Sequence, residues 1–232
     1  MRLPTLLSLT LLLISAPVAG VKETPSNLVE LDHIILAIND LERGIRDFTE
    51  RTGVRPQLGG ENRGRGTHNA LVSLGSQCYL EIVAPISTQP DSTLTSLLTK
   101  NELTPLNWAL RTRDIEGLVA LLRARGFAIS DPKSGSRVRP DSTVVSWQIA
   151  RLQDSTLSVA PFFIEWSVAS PHPGSTSPPG CTLSDLHLVE RRPERLSRLL
   201  TTLGFPAHVD AGPDPRMTFS LVCSRGVVSF GQ

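Results

Sequence analysis

Two carboxylates stand at matching places in two similar apolar segments of this 232-residue chain. Glu81 lies within the segment 78–82, and Glu165 lies 84 positions later within the segment 162–166. Burying a carboxylate in the middle of an apolar strand is costly, so two of them at matching places indicate a shared polar site. The pattern is typical of an enzyme or a binding protein built from paired modules.

The elements around these acids follow one order twice. In the first module we predict strand 28–38, helix 40–52, strand 54–58, a glycine and arginine loop at 59–66, strand 67–74 and strand 78–83. Asn39 or Asp40 is the expected N-cap of the helix, and Gly53 ends it. In the second module we predict strand 106–112, a helix from Asp114 to Gly126, a polar loop at 136–141, and strands 146–150 and 161–167.

A linker rich in Pro, Ser and Gly at 170–180 precedes a third, shorter unit of the same kind. The fold class is therefore α+β, with paired βαβββ modules and a third βαβββ-like unit. The boundaries we predict are 28–87 for the first module, 104–169 for the second and 181–232 for the third.

The first 20 residues have the form of a secretory signal peptide. Arg2 precedes an apolar run at 6–14, which is too short to span a bilayer, and small residues surround a cleavage point after Gly20. A membrane anchor and a buried first helix are the alternatives. The expected location is therefore secreted or periplasmic, with no membrane contact after cleavage.

The balance of charges excludes one class of partner. The chain has 23 basic and 22 acidic residues, and loss of Arg2 balances them, so we expect no nucleic-acid partner.

Of the three cysteines, we expect Cys181 and Cys223 to form a disulfide, since both fall in the last third of the chain, and Cys78 to be a buried thiol. Whether the protein is a homodimer stays open.

Four motifs stand at the strand positions of the modules: LDHIILA at 31–37, GTHNAL at 66–71, YLEIVAP at 79–85, and PFFIEW at 161–166 with PHP at 171–173. Together they resemble the glyoxalase-like domain proteins of the vicinal oxygen chelate superfamily. The resemblance implies an open, cup-shaped sheet around a divalent metal or a small ligand. It does not settle the reaction, because one fold carries many activities.

In such cups the metal ligands come from the first and last strands of each module. The resemblance therefore implies a metal site of His33, Glu81 and Glu165, with Asn107 at the fourth position, where catalytic relatives carry a stronger ligand. An amide oxygen suits a hard cation better than zinc. The competing interpretation is that no metal binds and that the glutamates contact a ligand directly, or form ion pairs with Arg111 or Arg139.

Other residues are predicted to surround this site. Glu81 or Glu165 would move a proton, and His68 at the mouth of the cup would meet substrate or relay protons. Asn107, Arg111, Arg139 and His172 are expected to bind substrate, although His172 has the plain alternative of a loop histidine. Arginines at 63, 65, 137 and 139 could clamp a carboxylate or phosphate or simply be solvated. The tryptophans Trp108, Trp147 and Trp166 are expected in the core.

Three functions remain open at this point. The first is an exported, divalent-metal-dependent lyase or isomerase that acts on a small oxygenated molecule. The second is a metal-free protein of the same fold that binds or sequesters a small molecule. The third is a structural or interaction module that retains only the fold.

Overall fold

A computed structural model describes residues 28–86 and 95–231. The predicted signal peptide at 1–20 lies outside the described residues. No helix in the described part is both long enough and apolar enough to cross a membrane.

The first module has the predicted order of elements. It consists of β1 (Glu30–Ala37), α1 (Leu41–Thr52), β2 (Gln57–Asn62), β3 (Thr67–Gly75) and β4 (Cys78–Pro85), with a 3-10 turn at Arg63–Arg65 between β2 and β3. Asp40 is the N-cap of α1, since its side chain accepts from the backbone N–H of Arg43. Gly53 ends the helix in the left-handed conformation, φ 78°, which glycine adopts without strain.

The second module repeats this order. After the short helix α2 (Thr95–Leu98), it consists of β5 (Thr104–Arg111), α3 (Ile115–Ala124), β6 (Lys133–Val138), β7 (Val144–Arg151) and β8 (Phe162–Trp166). Asp114 caps α3 by accepting from the backbone N–H of Gly117. A further short helix, α4 (Pro173–Thr176), lies within the predicted linker.

The two modules share one curved sheet of eight strands in the order β2-β3-β4-β1-β5-β8-β7-β6. Its centre is the antiparallel pair β1 and β5, in which His33 lies opposite Ala109. The end strands β2 and β6 meet, and a Cβ on Gly60 would lie 2.7 Å from the carbonyl oxygen of Val138. The predicted cup is confirmed, and this contact makes it nearly a closed barrel.

The closing strands were predicted in part as loops. The predicted loop at 59–66 contains most of β2, and the one at 136–141 contains the end of β6. Both strands are rich in Gly, Ser and charged residues, which are depleted in strands generally but are tolerated at the end of a sheet. Here the tertiary contact between the ends of the sheet overrides local propensity.

The third unit forms a separate sheet. It comprises β9 (Cys181–Glu190), α5 (Pro193–Leu203), β10 (Val209–Ala211), β11 (Arg216–Cys223) and β12 (Gly226–Phe230), with strand order β10-β9-β11-β12. The order along the chain is the expected one, but the pairing differs from that of the modules. The first strand, β9, pairs with β11, whereas β1 of the first module pairs with β4.

The disulfide between Cys181 and Cys223 is confirmed. The two residues face each other across β9 and β11, and their Cα atoms are 4.2 Å apart. Cys78 is a free thiol, and burial raises its pKa to about 12, so it is inert at neutral pH.

One hydrophobic core joins the three units on the outer side of the cup. Ile34 and Leu80 on the strands pack with Phe48 of α1, and the Phe48 ring stacks on Phe230 of the third unit at 5.9 Å. A second, smaller cluster around Ala109, Phe162 and Ile164 lies on the inner side of the sheet. The sheet therefore has a helix-covered outer face and an inner face free to line a site.

Candidate functional site

The inner face of the sheet encloses a cavity of about 1260 Å³. Strand alternation aims His33, Tyr79 and Glu81 into it from the first module, and Ile164 and Trp166 from the second. A cavity of this size accommodates a small organic molecule.

His33 is held rigidly on this face. The imidazole stacks on Tyr79 with ring centroids 4.5 Å apart, and it packs edge to face with the Phe162 ring, with centroids 5.4 Å apart. Its Nδ1 lies 2.5 Å from Oδ1 of Asp32, and only 3% of the side chain is exposed. The ring therefore has one orientation, with Nε2 directed toward Glu81, whose Oε2 is 3.8 Å away.

Asp32 is the anchor of this arrangement. Its Oδ2 accepts from Trp166 Nε1 and contacts His172 Nε2, both at 3.0 Å, so three ring nitrogens converge on one fully buried carboxylate. Burial alone would raise the pKa of Asp32, but the hydrogen bonds to His172 and His33 outweigh it and hold the pKa well below its usual range.

An ionised carboxylate only accepts, so it selects the tautomers of its partners. His172 donates from Nε2, which agrees with its Nδ1 accepting the backbone N–H of Gly174 at 3.0 Å. His33 donates from Nδ1. In the neutral ring, Nε2 of His33 then carries the lone pair that faces the cavity.

A β-bulge explains why two adjacent residues meet here. Leu31 pairs with Leu110 and His33 pairs with Ala109, so Asp32 has no partner on β5. Without the bulge, neighbouring side chains would point to opposite faces of the sheet, and the extra residue turns Asp32 toward the His33 ring.

Glu81 is fixed by its own neighbours. Asn69 on β3 donates to Oε1 at 2.5 Å, and Nη1 of Arg137 lies 3.9 Å from the same oxygen. The 3.8 Å separation from His33 is too long for a direct hydrogen bond and leaves both groups available to a ligand.

Basic side chains outnumber acidic ones in the cavity lining. Five basic side chains and two acidic ones line it, namely Arg65, Lys133, Arg137, Arg139 and Arg151 against Glu61 and Glu81. Excess positive charge in a concave, partly apolar site favours an anionic ligand.

The sequence matches the family model described as a glyoxalase-like domain over residues 31–204. The chain belongs to the glyoxalase-like domain family. It thereby falls within the vicinal oxygen chelate superfamily, as the sequence motifs predicted.

Two solved structures are similar to this chain. A hypothetical protein from Staphylococcus aureus is 17% identical with a TM-score of 0.65, and the match covers 87% of this chain and 98% of that one. Methylmalonyl-CoA epimerase from Mycobacterium tuberculosis is 21% identical with a TM-score of 0.48, covering 63% of this chain and 94% of that one. The likeness to the Staphylococcus aureus protein shows the fold alone. No curated protein matched the sequence.

The donor set for a metal in this glyoxalase-like cup is incomplete. His33 and Glu81 lie together as predicted, but the second module presents Ala109 opposite His33. The side chains of β8 that line the cavity are Phe162, Ile164 and Trp166. Within residues 28–86 and 95–231, no group of three His, Cys, Asp or Glu side chains is arranged to hold a metal. The residues present do not fit the divalent metal that the family resemblance implies.

Glu165 is the main correction to the predicted site. It lies on the outer face of β8, where its Oε2 accepts the backbone N–H of Ile115 at 2.8 Å, at the start of α3. A carboxylate suits this position because the first N–H groups of a helix lack partners within the helix. Glu165 therefore stabilises the start of α3 and does not share a site with His33 and Glu81.

Two further predicted residues lie away from the cavity. Asn107 lines a separate, smaller cavity beside the third unit, and its Oδ1 accepts from the backbone N–H of Trp108. Arg111, the last residue of β5, donates to Glu30 and Gln77. Neither is placed to contact a ligand in the cup.

The remaining predicted residues lie at or near the cavity. His68 is part of its rim, and burial lowers the pKa of His68, which favours a neutral ring. Arg139 also lines it and donates to Thr176 Oγ1 at 3.0 Å. His172 contacts Asp32 and packs edge to face with Tyr79 and Trp166, so it helps to hold these three side chains in place.

Residues important to the site were not predicted from the sequence. Asp32 stands next to His33 in the first motif, and regular strand alternation would place it on the other face, so nothing in the sequence singled it out. Trp147 and Trp166 were expected in the core, yet both line the cavity. The expectation for Trp108, which is 1% exposed in the core, is confirmed.

Proposed function

We propose that this protein is an isomerase or lyase of the glyoxalase-like class that moves a proton on a small oxygenated molecule held in the cup. The observation that carries the proposal is the pairing of Asp32 with His33, which leaves Nε2 of His33 facing the cavity beside Glu81. A histidine oriented by a buried carboxylate is a common form of general base.

The chemistry follows from the contacts. Nε2 of His33 takes a proton from a carbon or oxygen of the ligand, and the positive charge that develops is stabilised by ionised Asp32. Glu81, 3.8 Å from Nε2, is placed to hand a proton to another atom of the same ligand or to receive one from it. An isomerisation or an elimination needs one group that takes a proton from the ligand and a second group that gives a proton to another of its atoms.

The second module supplies the opposite wall of the cup. Ile149, Phe162 and Ile164 form an apolar surface with Trp147 and Trp166. This surface would hold the carbon part of the ligand and exclude water from the proton transfer. No step of this proton transfer passes through a metal, because the side chains of the cup do not fit one.

Hydrogen exchange in D₂O tests the proposal. The probes are pyruvate, 2-oxobutyrate and acetoacetate, whose C–H bonds next to a carbonyl are acidic, and the readout is loss of their proton NMR signals. We expect the wild type to accelerate exchange above the buffer rate, and His33→Gln to reduce that acceleration by about 10²- to 10⁴-fold.

His187→Gln is the matched control, since His187 lies on the third unit and pairs with Asp210 outside the cup. It should exchange the probes at the wild-type rate. If the wild type binds a probe without accelerating its exchange, proton transfer is contradicted and the metal-free binding protein is the better assignment.

A further inference from the structure

Arg151 occupies an unusual position in the cup. It ends β7, pairs across the sheet with Phe162, and its guanidinium carbon lies 4.4 Å from the centroid of the Phe162 ring. The side chain lines the cavity. Stacking on an aromatic face leaves the edge of the guanidinium fork free for hydrogen bonds.

No carboxylate neutralises this cation in the described part of the chain. Other arginines contrast with it, since Arg123 pairs with Asp131 and Arg195 pairs with Asp154. Burial, together with the nearby cation Arg65, lowers the pKa of Arg151 to about 10, so it remains charged at neutral pH. A largely buried cation without a counter-charge is costly to the fold.

A second arginine of the cup also has an unused donor. Arg137 is 9% exposed, and its Nε is buried without a hydrogen-bond partner. Its Nη1 reaches only a distant contact with Glu81, at 3.9 Å. Buried donors are almost always paired, so this one also points to a missing acceptor.

We propose that Arg151, with Arg65 in the lining of the same cavity, forms an anion subsite, and that the ligand of this cup carries a carboxylate or phosphate at one end. A single phenyl ring separates this subsite from the base, because Phe162 packs against both the Arg151 guanidinium and the His33 ring. A molecule of a few carbon atoms can therefore reach from Arg151 to His33. The reacting end of the ligand rests on the proposed function, whereas the subsite itself does not.

Three probes with the same ring test the subsite: benzoate, phenyl phosphate and benzyl alcohol, titrated calorimetrically into the wild type. We expect at least one of the two anions to bind more tightly than the alcohol, and the tighter anion identifies the source of the charge. Arg151→Gln should weaken binding of that anion by about 10- to 100-fold. The affinity of Arg151→Lys for that anion should lie between those of the wild type and Arg151→Gln, since lysine keeps the charge but lacks the planar guanidinium fork.

Controls separate the subsite from a structural role and from the proton-transfer proposal. Arg123→Gln, on the outer face, should bind as the wild type does. The Tm of Arg151→Gln without ligand should equal or exceed that of the wild type, because an unpaired buried cation is removed. His33→Gln should keep its affinity for the anion even where exchange is lost. Equal affinity of wild type and Arg151→Gln for both anions, or no preference over benzyl alcohol, overturns the proposal.

Discussion

At the scale of single residues, one bulge decides the chemistry of the site. Asp32 and His33 are neighbours in the chain, and regular alternation would send them to opposite faces. Because the bulge turns Asp32 back, the ring of His33 gains a carboxylate partner within 2.5 Å. An otherwise ordinary strand histidine becomes an oriented base.

Asp32→Asn tests the role of this carboxylate in stability. The amide offers one acceptor oxygen to three donors and places its own N–H₂ among them, so we expect a loss of about 3 kcal/mol in the free energy of unfolding at pH 7. Urea unfolding measures the loss. Asp131→Asn, at an exposed position on the surface, should change the free energy by less than about 0.5 kcal/mol.

The difference in the free energy of unfolding between the wild type and Asp32→Asn should depend on pH, and the sign of that dependence follows from the pKa of Asp32. The folded-state pKa of Asp32 lies below its unfolded-state value of about 4, so its stabilisation is complete above that pH and is lost as the pH falls further. The difference between wild type and Asp32→Asn should therefore shrink below about pH 4. A difference that continues to grow as the pH falls below about 4 contradicts an ionised, hydrogen-bonded Asp32.

The two acidic strands show what a residue pattern can predict. Glu81 was predicted correctly to face the cup, whereas Glu165 was placed on the same face by matching two similar segments. The inward face of β8 carries Phe162, Ile164 and Trp166, and Glu165 lies between the last two. In an apolar run the alternation of polar and apolar residues is missing, so the sequence holds no signal for which face is which.

At the scale of elements, the end strands β2 and β6 determine how far the cup closes. They meet at Gly60, whose φ of +118° also lies outside the range of most side chains. The absence of a Cβ lets the backbone of Val138 approach. This seam is the reason why the sheet is nearly a barrel rather than an open cup.

Gly60→Ala tests the closure of the seam against a matched control. Gly75 has a comparable positive φ of +141°, but nothing lies within 4 Å of the position of an added Cβ. Gly75→Ala should therefore cost about 1 kcal/mol of stability from backbone strain alone. Gly60→Ala should cost about 1–3 kcal/mol more, because its Cβ collides with a backbone carbonyl. Equal costs in urea unfolding would mean that the seam is open in solution.

At the scale of the whole molecule, the third unit is joined to the modules through the core. Residues of all three units form one buried cluster, and Glu190 of β9 accepts the backbone N–H groups of Ser158 and Val159 from the second module. We therefore expect the described part of the protein to unfold as one cooperative unit.

Removing the disulfide tests how much the third unit contributes. The bond closes a loop of 42 residues, so Cys181→Ala with Cys223→Ala should lower the free energy of unfolding by about 2–4 kcal/mol. Circular dichroism and tryptophan fluorescence should still report one common midpoint. Cys78→Ala, which leaves the bond intact, is the control, and separate midpoints in the double variant would show that the third unit unfolds by itself.

The order of elements and the family could be predicted from the sequence because each rests on local signals. Asp40, Gly53 and Asp114 mark the ends of helices by capping chemistry that a short window contains. The apolar half of the cup could not be predicted, since it depends on Ala109 lying opposite His33 across two strands. Pairing between residues so far apart in the chain is determined by the whole sheet and not by any short segment of sequence.

The placement of the tryptophans gives the protein a built-in optical probe. Trp147 and Trp166 line the cavity with ring centroids 5.5 Å apart, and the Trp166 indole donates to Asp32. Trp108 lies in the core on the other side of the sheet. The emission of two of the three fluorophores therefore depends on what fills the cup, and occupancy can be followed in the unlabelled protein.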